Sequence, residues 1–423
     1  MKVSFPYGKE KIEYDFISEK LSAVLESNIN EYVPELSEQE LVLSAMVNPV
    51  GSERLCILAK DKKNIVIIAS DHTRPVPSKV IIPPVLREIR SVNKTAKITI
   101  LIATGCHRGT TREELIDKFG EDIVNSENIY IHDCLDNEML VNIGTLPSGS
   151  ACEINKIACE ADLLIAEGFI EPHFFAGFSG GRKSVLPGIA GRQTVMGNHC
   201  SEFIDSPYSR TGNLENNPIH NDMLWAAKKA KLAYIVNVIL NDKKEVIYAV
   251  AGDVEAAHKK GTDFLSSLCA VNAVPADIVI STNGGYPLDQ NIYQAVKGMT
   301  AAEATVNDGG VIIMLAASND GTGGDHFYHQ LSSETDINKT MEIFLGRKRG
   351  DTLPDQWQSQ ILIRILLKAT VIYVSNMPDD IIEKMHMLPA HSIDEAIKKA
   401  KEIVNKENAE IVAIPDGVAV MVV

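Results

Sequence analysis

The sequence predicts an α/β fold, built as two α/β domains with mostly parallel sheets and one antiparallel hairpin. Three observations predict it. Short runs rich in Ile and Val, apolar on both faces, alternate with helical patterns, as strands covered on both sides should. Polar clusters follow several of these runs, at the edge where open α/β sheets bind ligands. A weak internal echo repeats an Ala-Asp-aliphatic run leading into a glycine-containing loop, at Ala161–Ile165 and at Ala276–Ile280.

In chain order, Asn64–Ser70 and Lys97–Ala103 are the first expected strands, with Val80–Ser91 as a helix between them. Thr111-Arg112-Glu113-Glu114 is a capping-box pattern and opens a helix toward Phe119. Asp162–Ala166 is the next strand. Leu232–Leu240 and Glu245–Val250, joined by Asn241-Asp242-Lys243-Lys244, read as an antiparallel hairpin. Val254–Leu268 is helical, and the domain boundary falls between it and Ala276. Residues 1–270 then form an N-terminal domain and residues 271–423 a C-terminal one. The second domain contributes strands Asp277–Ser281, Gly310–Leu315 and Thr370–Val374, and the amphipathic helix Ser392–Glu407. The last apolar runs, Glu410–Ile414 and Val418–Val423, fit either domain.

Composition narrows the function. The 423 residues include 41 Lys+Arg against 56 Asp+Glu, a net charge of −15, with no dense basic run. That balance argues against a general nucleic-acid binder, which needs cations to neutralise phosphates. The N-terminus has no apolar signal-peptide core, and Ile361–Val374 is too short and too charged for a membrane span. Seven scattered cysteines without a C-x-x-C motif read as reduced thiols, so a cytoplasmic location is expected.

Five loops carry chemistry-bearing residues. Ser70-Asp71-His72-Thr73-Arg74-Pro75 is a turn, or a site aiming Arg74 at a carboxylate or phosphate. Ala103-Thr104-Gly105-Cys106-His107-Arg108 places His107 just before a helix start. The densest loop, Glu167 to Ser184, holds four Phe, four Gly, His173 and Lys183. It fails as a P-loop because Arg182 stands where glycine is required and Pro187 follows. Its glycines can still cradle a phosphate, with Lys183 as a point charge or a covalent attachment point. Gly197-Asn198-His199-Cys200 offers one imidazole, and the absence of H-E-x-x-H and H-x-H leaves no visible zinc cage. In the second domain, Gly284-Gly285 leads into a helix whose first turns carry Tyr293, Gln294 and Lys297. These form a candidate wall over a ligand, which puts the active site in the interdomain cleft.

Taken together, SDHTRP, ATGCHRGTT, EPHFFAGFSGGRKSVLPGIAG, GNHCS and DQNIYQAVKG resemble the lactate racemase family over essentially the whole chain. The resemblance implies a nickel-pincer nucleotide, a pyridinium-3-thioamide-5-thiocarboxylic acid mononucleotide, bound covalently to Lys183. It implies His199 as the protein's nickel ligand, and His107 and His173 as the two acid/base residues. Arg74 and Lys297, with Gln294, would bind the substrate, and Asp71, Tyr293 and Trp357 would lie near the cofactor or substrate. The implied reaction removes the Cα hydrogen of a 2-hydroxy acid as hydride, leaving a pyruvate-like intermediate. Hydride returns to the opposite face. Accessory proteins that build the cofactor are the implied partners. The competing readings are a racemase or epimerase of another 2-hydroxy acid, a metal-dependent hydrolase with His107, His173 and His199 as ligands, and a non-catalytic phosphate- or nucleotide-binding protein.

Overall fold

A computed structural model describes all 423 residues and divides them into two compact units. One, here the histidine-loop unit, comprises Ile29–His199 and Asn213–Ser267. The other, the terminal unit, comprises Met1–Asn28, Cys200–Gly212 and Leu268–Val423.

The histidine-loop unit is built on a six-stranded sheet. Its order is Val246–Gly252, Leu232–Leu240, Leu163–Phe169, Asn64–Ser70, Lys97–Ala103 and Asn128–Ile131. Every neighbouring pair is parallel except the first, the expected hairpin, which is antiparallel. All seven residues of the central strand Leu163–Phe169 are buried, which explains a run without polar alternation. The helix Ser78–Val92 buries Ile81, Ile82, Val85, Leu86 and Ile89 in the same core as Ile65, Ile67, Ile100 and Ile165. Each such side chain contributes about 1.5–3 kcal/mol on burial. The capping box forms as expected: Thr111 accepts from the Glu114 N–H, Glu114 accepts from the Thr111 N–H, and the helix runs Arg112–Phe119.

The terminal unit holds a second six-stranded sheet, ordered Leu388–Ala390, Thr370–Val374, Val306–Leu315, Ala276–Thr282, Glu410–Ile414 and Lys20–Val24. It is parallel throughout. The helix Ile393–Val404, N-capped by Ser392, packs Ile393, Ala396, Ile397 and Ala400 onto it.

The division differs from the expected cut of 1–270 and 271–423. The later boundary is close, at Leu268, but residues 1–28 and 200–212 belong with the C-terminal sheet. The cause is pairing that no local pattern reveals: Lys20–Val24 joins the sheet edge beside Glu410–Ile414, and Gln360 Nε2 donates to the Ser201 carbonyl. The final strand, Met421–Val422, pairs with Ala270–Val271 inside the terminal unit. No helix is long and apolar enough to cross a membrane. All seven cysteines are free.

Candidate active site

Three adjacent parallel strands of the histidine-loop unit end in three of the expected loops, so sheet order gathers residues far apart in sequence. The Asn64–Ser70 strand delivers Asp71, Thr73 and Arg74, and its neighbour Lys97–Ala103 delivers His107. His107 Nδ1 donates to Asp71 Oδ2 at 2.7 Å, an assignment that follows because a carboxylate only accepts. That leaves Nε2 as the basic nitrogen. Asp71 is 1% exposed. Burial alone would raise its pKa, but hydrogen bonds from His107 and Thr73 and the charges of His107 and Arg74 outweigh it and hold the carboxyl below its ordinary value. Asp71 thus orients the His107 ring, a sharper position than the general cofactor-side role expected from the resemblance. Arg74 is exposed, and its Nη1 donates to Thr73 Oγ1 at 3.0 Å.

The Leu163–Phe169 strand leads into the dense loop. His173 stacks on Phe174 and meets Phe175 edge-on, with centroids 5.0 and 4.5 Å apart. The Ala176 N–H donates to His173 Nδ1 at 3.3 Å, which keeps the proton of the neutral ring on Nε2. His107 and His173 are therefore held as opposite tautomers. Lys183 lies in a short 3-10 turn, Gly181–Ser184, and its Nζ is 5.8 Å from the Phe175 ring centroid. The same ring meets His199 edge-on at 5.2 Å. His199 ends the helix Arg192–Asn198, and its Nδ1 donates to the Val195 carbonyl at 3.1 Å. Burial, then the nearby Lys183 ammonium, push its pKa down to about 3. It is a neutral imidazole with its lone pair on Nε2, the form that ligates metals.

Three residues outside the expected site set shape this loop. Arg182, seen only as the residue that breaks the P-loop pattern, is 1% exposed. It donates to the Ala176, Ser179 and Gly180 carbonyls and to His220 Nδ1, so it staples the loop from inside. Gly181 adopts φ +53, and a Cβ there would lie 2.8 Å from the His258 ring; only glycine fits the turn that presents Lys183. Glu167, at the loop's start, is fully buried. Its Oε1 accepts from Ser78 Oγ at 2.6 Å, its Oε2 has no hydrogen-bond partner, and burial pushes its pKa up to about 7.

In the terminal unit, Gly284 and Gly285 at φ +76 and +74 turn the chain into the helix Ile292–Glu303, capped by Asn291 accepting from the Gln294 N–H. Tyr293, Gln294 and Lys297 lie half-buried on its first turns. Trp357 Nε1 donates to Tyr293 Oη at 3.2 Å. The Tyr293 hydroxyl is also hydrogen-bonded to Asp355, whose carboxyl burial raises. Asp355 carried no sequence signal: it sits at φ +63, just before the helix Gln356–Lys368.

No group of three or more His, Cys, Asp or Glu is placed to hold a metal, so His107, His173 and His199 do not form the ligand set that a hydrolase reading requires. The donor set instead suits a group that brings its own metal ligands: one amine at Lys183 and one neutral imidazole at His199, both against Phe175.

The comparisons with known proteins define the class, an isomerase and more narrowly a racemase. Residues 7–212 match the family model described as the lactate racemase N-terminal domain, and residues 271–422 the lactate racemase C-terminal domain. The chain belongs to the lactate racemase family. It is 55% identical over 421 residues to the lactate racemases of Thermoanaerobacterium thermosaccharolyticum and Lactiplantibacillus plantarum, covering 99% of each pair. The structure of the lactate racemase apoprotein from T. thermosaccharolyticum superposes with a TM-score of 0.96 at 54% identity, covering 100% of both chains. A Thermotoga maritima protein shares the fold at TM-score 0.63 and 18% identity, covering 92% of this chain and 98% of its own.

Proposed function

We propose that this chain interconverts L- and D-lactate, using a nickel-pincer nucleotide tethered to Lys183 and ligated by His199. When bound, the nucleotide supplies the acceptor for the Cα hydrogen and its electron pair, and the protein supplies everything else. Arg74, with Lys297 and Gln294, binds the substrate carboxylate. Asp71 keeps the His107 proton on Nδ1, so Nε2 takes the lactate hydroxyl proton as the carbonyl forms. His173 presents its Nε2–H to the substrate oxygen on the other face, and the two rings exchange roles when the reaction runs backward. Tyr293 and Trp357, bonded to each other, line the cofactor side. The nucleotide is made and installed by accessory proteins, and the name apoprotein given to the T. thermosaccharolyticum structure supports a separately supplied group.

The observation that carries this reading is the buried Asp71 beneath His107, with Arg74 bonded to the same Asp71–Thr73 turn. It supports a proton acceptor beside a carboxylate ligand, the pair that a 2-hydroxy acid requires. The test is to incubate protein, its cofactor loading verified by intact mass, with pure L-lactate and to separate the enantiomers by chiral chromatography. Growth of D-lactate toward an equal mixture is expected. No D-lactate from verified loaded protein would overturn lactate as substrate and move the search to other 2-hydroxy acids.

A further inference from the structure

The geometry points to Thr73 as a positioning residue that couples substrate-carboxylate recognition to the Asp71–His107 pair. This inference rests on the reading of Arg74 as the carboxylate ligand. Thr73 has one hydroxyl proton, and Asp71 Oδ1 receives it at 2.7 Å. The hydroxyl lone pairs then face outward, and Arg74 Nη1 donates to them at 3.0 Å. The same oxygen lies 3.4 Å from His107 Nδ1, and the Thr73 main-chain N–H also reaches Asp71 Oδ1, at 3.2 Å. One hydroxyl therefore ties an exposed, rotamer-rich guanidinium to the carboxylate that orients the base. Valine matches threonine in shape but has neither donor nor acceptor at this position.

The coupling does not depend on Thr73 to hold the loop itself. Lys118 Nζ, from the last turn of the Arg112–Phe119 helix, donates to the Arg74 and Val76 carbonyls at 3.1 and 3.3 Å, which fixes the main chain. Removing the hydroxyl thus frees the Arg74 side chain while its backbone stays in place. A freed guanidinium must be ordered anew by each substrate molecule. The cost falls on substrate capture more than on the chemical step.

The test uses cofactor-loaded Thr73→Val, Thr73→Ser, Arg74→Ala and the Thr73→Val/Arg74→Ala double variant, assayed with L- and D-lactate. Thr73→Val is expected to raise KM about tenfold in both directions with a smaller change in kcat, since a hydrogen bond to a charged group is lost. Thr73→Ser, which keeps the oxygen, should restore KM to near the wild-type value. In the double variant the two KM effects should fall well short of multiplying, because both remove one interaction. Unchanged melting temperatures of the apoproteins would exclude misfolding as the cause. A wild-type KM in Thr73→Val, a serine variant as impaired as valine, or fully multiplicative effects would each overturn the coupling. If Arg74→Ala itself leaves KM unchanged, the carboxylate role of Arg74 falls instead.

Discussion

Glu167→Gln isolates a buried ionisation at the start of the dense loop. Glu167 is fully buried and its pKa is raised from 4.5 to about 7 by desolvation, partly offset by Lys118 and by the Ser78 hydroxyl. Below about pH 4.5 both folded and unfolded states are protonated, and the group contributes no pH dependence. Between pH 4.5 and 7 the unfolded chain releases this proton while the folded chain keeps it. The folded state then binds more protons, so stability falls as pH rises and the loss is complete above pH 7. The gap between the ordinary value and about 7 corresponds to about 3 kcal/mol. Glutamine cannot titrate. It keeps an oxygen for Ser78 Oγ but points an amide at the space around Oε2, where no partner exists, a constant penalty of about 1–3 kcal/mol. The quantity to follow is therefore the difference between variant and wild type as pH changes. Urea unfolding of the apoprotein from pH 5 to pH 8 should show the variant gaining about 2–3 kcal/mol relative to wild type, the remainder of the loss falling below pH 5. A difference that stays constant with pH would refute a raised carboxyl at Glu167.

Three further outcomes are expected. Lys183→Ala should lose the covalent adduct in intact-mass analysis of protein prepared with the cofactor machinery; a wild-type-like adduct would remove Lys183 as the tether. His107→Ala and His173→Ala should each retain the adduct and nickel, measured by mass and elemental analysis, yet lose racemisation in both directions by about a hundredfold or more. Asp71→Asn should lower kcat about a hundredfold or more without unfolding the loop, because an amide can hold His107 in the wrong tautomer; an unchanged kcat would show that the Asp71–His107 bond is incidental.

Much of the fold was legible because its strands are continuous Ile/Val runs and its helices carry a cap, as at Thr111–Glu114, or an apolar face, as at Ser392–Glu407. The hairpin at 232–252 was legible for the same local reason. What sequence did not show is non-local. Nothing around Lys20 announces a partner near residue 410, and nothing around Ser201 announces Gln360. In the candidate site, the roles expected of His107, His173, Lys183 and His199 came from the family resemblance of their loops. The link between Asp71 and His107 needed the neighbouring order of their two strands, which register fixes and composition does not. Arg182 was read as a mismatch to a motif when its meaning is three loop carbonyls. Asp355 was invisible because it acts through the Tyr293 hydroxyl, 62 residues earlier in the chain.

The pairing of Lys20–Val24 with Glu410–Ile414 also governs the order in which the molecule can be made. Lys20 and Glu410, ion-paired across that edge, are 390 residues apart. At ribosomal speeds of about 5–20 residues per second, the early strand waits roughly 20–80 s for its neighbour to be synthesised. Over that interval Ile29–His199 and Asn213–Ser267 emerge whole, with every strand of their own sheet available. The unit bearing the histidines can therefore mature on the ribosome, while the terminal unit closes only after translation has nearly ended. A message cut short before codon 410 would leave a nascent product with an unpaired β-edge near its start, the kind of exposed strand that recruits chaperones or seeds aggregation.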